Sequence, residues 1–516
     1  MRTLPWLMSL IVCTVTQDAA YWNTQAQETL KRMMNQKHNT NVAKNVILFL
    51  GDGLGISTVT ASRIYKGQLQ SQTGEETVMA YEKFPFTGLI KTYNTDQQVP
   101  DSAGTATAFL CGVKAKAGTV GLDDSAIHSN CASQHGTEVK SILDWSKNEG
   151  KSTGIVTTTR VTHATPAASY AHAADRGWEG DTELQVEEIE GGCRDIAYQL
   201  IMNNSDVNVI LGGGRRYFLS INKTDPELNE TTRSQRGDLD LIDEWTQDKV
   251  DRNSSHSYVW NNAQFANVDP DKTDHLLGLF ESSHMQYEHS RNKGPDGEPS
   301  LAEMTQKAIQ VLDNNPMGFF LLVEGGRIDH AHHATYGRRA LHETVAFEEA
   351  VQMALNLTND EETLVVVTAD HSHVFMAGGY PSRGNSILGL VNDEMGDDTM
   401  PYTSLVYGNG PVGRENLTNI DTADFDYKQG SAVPLSSETH AGEDVPVYAN
   451  GPMAHLLTGT HEQNYIAHVM AYASCVGLNK DHCTQLPSGT PTSGSSGVLP
   501  GSLIFTQCCL FFLFYA

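Results

Sequence analysis

The chain has 516 residues, 39% hydrophobic and 19% charged, and carries a net charge of -27. Such a length exceeds the roughly 250 to 300 residues that one core supports, so a large elaborated domain or two domains are expected, and the composition excludes a disordered or membrane-embedded chain. The acidic balance argues against nucleic acid as a partner, because a phosphate backbone needs a basic face; a small phosphate substrate stays compatible if bound cations reverse the field locally.

In chain order, Arg2 precedes an apolar run from Leu4 to Val15 and a polar exit from Thr16 to Ala20. This pattern predicts a secretory signal peptide over residues 1–20, too short to span a bilayer. Gln25 to Lys37 predict a helix within an N-terminal arm, residues 21–37, with Thr24 and Gln27 spaced as a capping box. Val46 to Leu50, Gly154 to Val156, Val207 to Leu211, Phe319 to Val323 and Leu364 to Val367 are short apolar runs that predict buried parallel strands. Between them, Ala103 to Lys114, Thr137 to Asn148, Leu301 to Asn314 and Ala340 to Leu355 predict helices. Strands alternating with helices imply an α/β fold, doubly wound, with a mostly parallel central sheet flanked by helices.

From about Gly378 to Glu438 this rhythm gives way to Gly, Pro, Asn and Asp, which predicts a separate insertion over residues 378–438. The body of the protein is expected to cover residues 21–486. Val498 to Ala516 are apolar with no Lys or Arg after them and follow a spacer of small and polar residues, Ser488 to Gly497. Residues 488–516 therefore read as a signal exchanged for a GPI lipid anchor, attached between Ser488 and Ser493, rather than as a retained span.

Sequons at Asn203, Asn222, Asn229, Asn253, Asn356 and Asn416 fit passage through the secretory route. Setting aside Cys13 in the leader and Cys508 and Cys509 in the tail leaves Cys111, Cys131, Cys193, Cys475 and Cys483. An odd five in an oxidising compartment implies two bridges and a free thiol. Cys111 lies in a helical pattern and is the expected free one, Cys475 and Cys483 are near enough to close a small loop, and spacing alone leaves the pairing open.

Ligands of open α/β sheets bind beyond the carboxyl ends of the strands. The first run is followed by Gly51-Asp52-Gly53, the fourth by Glu324 and the fifth by Asp370-His371-Ser372-His373. Carboxylates and imidazoles at three strand ends are the ligand set of hard and borderline divalent metals. In Glu324-Gly325-Gly326-Arg327-Ile328-Asp329-His330-Ala331-His332-His333, Asp329 and His333 share a helical face at i and i+4 while His330 points elsewhere. Alone, any of these acids reads as a turn or capping residue, and His440 reads as a structural histidine; only their company raises them. Asp101-Ser102 opens a helix, where backbone N–H groups and the dipole favour an anion on the serine oxygen, although capping explains the same pair. Gly51-Asp52-Gly53-Leu54-Gly55 lacks the third glycine of a dinucleotide loop, and Gly212-Gly213-Gly214-Arg215-Arg216 reads as a turn after a strand.

The strings FLGDGLG, PDSAGTATAFLCG, VTTTRVTHATPA, HAADR, VEGGRIDHAHH, TADHSHVF and SSETHAGEDV resemble vertebrate GPI-anchored alkaline phosphatases, the intestinal or placental-like branch in particular, from about Tyr21 to Cys483. The resemblance implies hydrolysis of phosphate monoesters at alkaline pH, with broad substrate range, through a phosphoserine on Ser102 and two in-line displacements. It implies one zinc ion on Asp329, His333 and His440, a second on Asp52, Asp370 and His371 with Ser102 beside it, and magnesium on Asp52, Thr165 and Glu324. Arg176 would clamp two phosphate oxygens. His373 would orient a ligand from behind, with His163 and His330 near the phosphate. A peripheral calcium would sit on Glu227, the Phe280 carbonyl, Glu281 and Glu298, where related chains carry aspartate and where Asp296 offers an alternative. Ser437 stands where some relatives carry an acid. The resemblance also pairs Cys131 with Cys193 and Cys475 with Cys483, gives residues 378–438 a crown-like form, and makes the protein a homodimer on the outer face of the cell membrane. The rivals are a phosphodiesterase or sulfatase on the same core, which Ser102 with Thr165 and Glu324 disfavours, and a non-catalytic extracellular metal-binding protein, which intact Ser102 and Arg176 disfavour.

Overall fold

The computed structural model describes residues 17–229 and 235–485. The chain divides after Lys480; the part beyond it begins with a short 3-10 turn, Asp481–Gln485, and all that follows concerns the part before it.

Its strands, in chain order, are β1 Asn45–Gly51, β2 Phe86–Lys91, β3 Ser152–Arg160, β4 Val209–Gly213, β5 His256–Val259, β6 His275–Leu279, β7 Phe319–Gly325, β8 Thr363–Ala369, β9 Ser372–His373, β10 Phe375–Ala377, β11 Leu405–Gly410, β12 Ser431–Pro434, β13 His440–Ala441, β14 Val445–Asn450 and β15 Gly459–Glu462. Ten of them form one sheet in the order β15-β2-β14-β8-β1-β7-β3-β4-β6-β5. Within it β14 alone runs against its neighbours. All five apolar runs are strands of this sheet, and β1, β7 and β8 are buried from end to end. A strand covered on both faces has no polar side to alternate with, which is why these segments are continuously apolar.

Local rules move several boundaries. The helix expected from Thr137 starts at Ile142, because Ser141 accepts from the backbone N–H of Leu143 and Asp144 while Val139 still donates to Gly121 in a loop. The helix expected to reach Lys114 stops at Cys111, where Gly112 takes φ 79°. The Leu301–Leu312 helix begins on a reciprocal Ser300 and Glu303 box, and the last long helix spans Gly337–Leu357. The capping box expected at Thr24 and Gln27 does not form. The first helix runs Ala19–Met34, Asp18 caps it by accepting from the Tyr21 N–H, and Thr24 lies inside it, donating to the Ala20 carbonyl.

Residues 378–438 lie outside the ten-stranded sheet. Most of the three-stranded sheet β10-β11-β12 belongs to them, and it has a core of its own. Phe375, Ile387, Leu388, Leu405 and Tyr407 pack there against Ala61, Tyr65, Leu341 and Val345 of the helices Ile56–Leu69 and Gly337–Leu357. Cys131 and Cys193 form a disulfide as expected. Neither Cys475 nor Cys483 is a free thiol, and Cys111, buried, is the free cysteine among the described residues. All six sequon asparagines are exposed. No helix among the described residues is long and apolar enough to cross a membrane, and the expected leader up to residue 16 and the tail from 486 lie outside them.

Leu48 is wholly buried in β1, whereas Leu69 is half exposed. Leu48→Ala is expected to cost about 2 to 5 kcal/mol, read as a lower denaturation midpoint, while Leu69→Ala leaves the midpoint near that of the wild type.

Candidate active site

The four central strands β8, β1, β7 and β3 end at one level, with Gly51 beside Ala369, Leu50 beside Glu324 and Glu324 beside Thr157. That register brings Asp52, Glu324 and Asp370 to one rim from three parts of the sequence. Asp52, Glu324, Asp370 and His371 are wholly buried and Asp329 nearly so. Burial first, and then the charges of Asp370, Asp329 and Glu324, push the Asp52 carboxyl well above the usual carboxylate range. Burial raises Glu324 to about 7, while His371 holds Asp370 down at about 2 against its own burial.

Asp329 and His333 face one way on the helix Arg327–His333, as their spacing predicts. The short β9 and β13 pair sets His440 opposite His373 and so carries His440 to the same point. Asp329 Oδ1 is 3.3 Å from His333 Nε2 and 3.3 Å from His440 Nε2, and the two nitrogens are 3.1 Å apart. The far nitrogens are spoken for: His333 Nδ1 donates to the Glu438 carbonyl at 2.6 Å and His440 Nδ1 to the Pro100 carbonyl at 2.7 Å. Both rings therefore turn Nε2 inward, and three ligand atoms enclose one point.

Behind Asp329 stands His373, with Nε2 at 2.9 Å from Asp329 Oδ1 and Nδ1 at 2.6 Å from Glu438 Oε2. Burial alone would lower this histidine; the Glu438 charge overcomes it and lifts the ring to about 10. His373 thus orients Asp329 as expected. Glu438 is the residue that sequence reasoning missed. Its only signal was a carboxylate two positions before His440, too common a spacing to single out.

Asp101 accepts from the N–H groups of Ala103 and Gly104. With capping done by Asp101, the Ser102 hydroxyl is left free and lies 3.2 Å from His371 Nε2. His371 Nε2 is also 3.0 Å from Asp370 Oδ2 and 3.6 Å from Asp52 Oδ1. Arg176 reaches in from the side, Nη1 donating to Asp101 Oδ2 at 3.2 Å and Nη2 to His163 Nε2 at 3.1 Å. His330 points away from Asp329 and packs with His163 and His284, the last unforeseen from the sequence. Burial keeps His163 and His330 neutral, His330 falling to about 3.

Buried polar atoms in folded proteins are nearly always hydrogen-bonded. Here both oxygens of Asp52, Oδ2 of Asp370, Oε1 of Glu324, Oγ1 of Thr165 and Nδ1 of His371 are buried with no hydrogen-bond partner. The other Glu324 oxygen accepts from Thr157 and Thr159, so one lobe is anchored and one is left bare. Bare oxygens of this kind beside inward nitrogens are what divalent cations satisfy, and the residues fit the metals expected of them.

A model of the family described as alkaline phosphatase matches residues 43–476. The chain belongs to the alkaline phosphatase family. It is 56% identical over 497 residues to the tissue-nonspecific alkaline phosphatase of Rattus norvegicus, covering 94% of each chain. It is 55% identical over 508 residues to the tissue-nonspecific isozyme of Homo sapiens, covering 96% of this chain and 95% of the other. Against the alkaline phosphatase of Gadus morhua the identity is 52%, over 90% of this chain and 98% of that one. Among solved structures, the alkaline phosphatase of the Antarctic bacterium TAB5 matches at a TM-score of 0.59 and 25% identity, over 85% of this chain and 100% of the other. That of Thermus thermophilus shares the fold at a TM-score of 0.60 and 23% identity, over 86% and 93%. The enzyme hydrolyses phosphate monoesters. The two mammalian relatives carry the tissue-nonspecific name, not the intestinal or placental one expected from the motifs.

At the calcium residues, Glu298 Oε1 accepts from the Gln286 N–H and Glu281 Oε1 from the Gln286 side chain, each at 2.7 Å. Burial, with the charges of Glu281 and Glu227, raises Glu298 to about 8, and its second oxygen is buried without a hydrogen-bond partner. Asp296 is exposed, so Glu298 is the acid the fold turns inward. Glu227 also accepts from buried Arg215 at 2.6 Å, and Phe280 is buried after β6.

Removing metal with a chelator is expected to make stability depend on pH in a set direction. Glu324 titrates near 4.5 in the unfolded chain and near 7 when folded, so the folded form holds the extra proton and stability falls as pH rises between those values. The melting temperature of chelated protein should drop across that window more than that of metal-loaded protein; parallel curves would refute the raised carboxyls. Gly53 has φ 77°, and a Cβ there would stand 2.6 Å from the His373 ring. Gly53→Ala is therefore expected to lower both melting temperature and bound metal, counted by elemental analysis.

Proposed function

We propose that the enzyme transfers the phosphoryl group of a monoester to Ser102 and then to water, at a centre of two zinc ions and one magnesium. The bare oxygens of Asp52, Asp370, Glu324 and Thr165 are the observation that carries this reading. Asp329, His333 and His440 would hold one zinc, Asp52, Asp370 and His371 the other, and Asp52, Thr165 and Glu324 the magnesium. When bound, these ions supply Lewis-acid charge at neutral cost in protons and lower the pKa of coordinated oxygen.

The chain's own residues do the rest. Asp101 caps the helix in place of Ser102, which leaves the serine hydroxyl free beside His371. Arg176, steered by Asp101 and His163, offers two parallel N–H donors to a phosphoryl group. The helix Ser102–Cys111 directs its N-terminal N–H groups toward the anion formed on Ser102. Glu438 and His373 hold Asp329 from behind. Attack and release at one serine imply two in-line displacements with net retention at phosphorus, a broad range of leaving groups and an alkaline optimum. A calcium ion on Glu227, Phe280, Glu281 and Glu298 would neutralise a buried acidic cluster.

The enzyme is further read as a glycosylated, GPI-anchored homodimer on the outer face of the cell membrane. The exposed sequon asparagines support glycosylation, and the composition of residues 488–516 supports the anchor. The helix Ala19–Met34 buries none of its residues and exposes Trp22, Leu30, Met33 and Met34, an apolar face that a second subunit would cover. The intestinal or placental-like branch rests on the motif strings alone.

Ser102→Ala is expected to abolish turnover of an aryl phosphate while metal content stays at the wild-type level; turnover that survives the substitution, or survives a zinc chelator, would sink the reading. Glu438→Gln should weaken zinc retention by about 10 to 100-fold, measured by competition with a chromogenic chelator.

A further inference from the structure

Arg176 lies in a loop, outside any helix or strand. Its guanidinium is steered by Asp101 and His163, but neither of those holds its main chain. The main chain is held by the loop from Gly118 to Cys131. Val120 and Ala173 exchange backbone hydrogen bonds in both directions at 2.9 Å, the Arg176 N–H donates to the Gly118 carbonyl at 2.8 Å, and the Ser129 N–H donates to the Ala174 carbonyl at 2.9 Å. A side-chain tie completes the set. The Ser129 hydroxyl donates to Asp175 Oδ2 at 2.5 Å, and the other Asp175 oxygen accepts from the Gly177 N–H at 2.8 Å. Asp175 therefore binds the chain on both sides of Arg176. His128 backs the tie, with Nδ1 at 3.2 Å from the Ser129 hydroxyl and Nε2 at 3.6 Å from Asp175 Oδ2.

Ser129 makes this bond from φ 56°, a left-handed conformation that serine rarely adopts. Such strain persists only where the surroundings over-determine it. Both ends of the loop do so. Gly118, at φ 79°, lies so close to His128 that a Cβ would come within 2.5 Å of the ring. Cys131, two residues after Ser129, is locked to Cys193.

We propose that Ser129 is a positioning residue for the reaction: through Asp175 it fixes the main chain of Arg176, and the Cys131–Cys193 bridge anchors the loop that presents it. The inference rests on Arg176 being the phosphate clamp proposed above. A group that sets where a clamp sits changes binding of every species the clamp holds, substrate and product phosphate alike, and leaves the serine and its metals in place.

Three variants of the full-length, metal-loaded chain test this. Ser129→Gly removes the hydroxyl and relieves the left-handed strain, so it isolates the tie from backbone effects. Ser129→Asn tolerates the same φ and keeps a donor. Asp175→Ala breaks the bond from the other side without touching the loop. With an aryl phosphate as substrate and inorganic phosphate as inhibitor, Ser129→Gly and Asp175→Ala should raise KM and the phosphate inhibition constant together by about tenfold, with kcat within about twofold of wild type. Ser129→Asn should restore both constants. The proposal is overturned if both constants in Ser129→Gly and Asp175→Ala stay near the wild-type values, or if kcat falls while KM and phosphate inhibition do not move. Either overturning result leaves the Ser102 assignment standing, since that assignment fails only if Ser102→Ala still turns over.

Discussion

Four carboxylates, Asp52, Glu324, Asp329 and Asp370, are buried together at one rim of the sheet, and their mutual repulsion is the constraint on which the rest of the structure depends. Charges taken out of water are costly unless they are paired. Histidines offset part of the load: His371 stabilises the charge on Asp370, and His333, His373 and His440 do so for Asp329. Asp52 and Glu324 have no such partner, and their carboxyls rise. A site that is electrostatically unfinished in protein atoms alone is a site made for cations, and the acidic net charge of the chain ceases to be at odds with an anionic substrate.

Holding such a cluster requires rigidity from elements that carry none of the chemistry. The parallel register of β8, β1, β7 and β3 sets the ligands at one height. Gly53 gives the turn after β1 room beside His373. Threonines at 157 and 159 pin one oxygen of Glu324 and leave the other free, and carbonyls of Pro100 and Glu438 fix which nitrogen each ring presents. These are backbone and hydroxyl contacts, so they leave little trace in residue type.

That distinction explains what could be read from the sequence. The five buried strands and the acids that follow them were legible because a doubly covered strand is continuously apolar and a metal ligand must be Asp, Glu or His. The pair Asp329 and His333 was legible from helical spacing. Glu438 and His284 were not, since each acts through a partner more than forty residues away. The Thr24 box failed because Asp18, an equally good cap, lies six residues earlier and wins a longer helix. The start of the Ile142–Asn148 helix was misjudged because a tertiary contact, Val139 to Gly121, holds the preceding residues extended.

The metal ligands span the chain from Asp52 to His440, and His440 arrives only on the short β13 that precedes the one reversed strand, β14. Contacts across so many intervening residues close late, because loop entropy must be met before they are rewarded. A nascent chain still missing its final quarter would therefore carry a serine, an arginine and most of the acids, yet no completed cage for a cation. Catalytic competence in this molecule is a report that synthesis and tertiary closure have both finished, which spares the secretory pathway a half-made hydrolase among its phosphorylated metabolites.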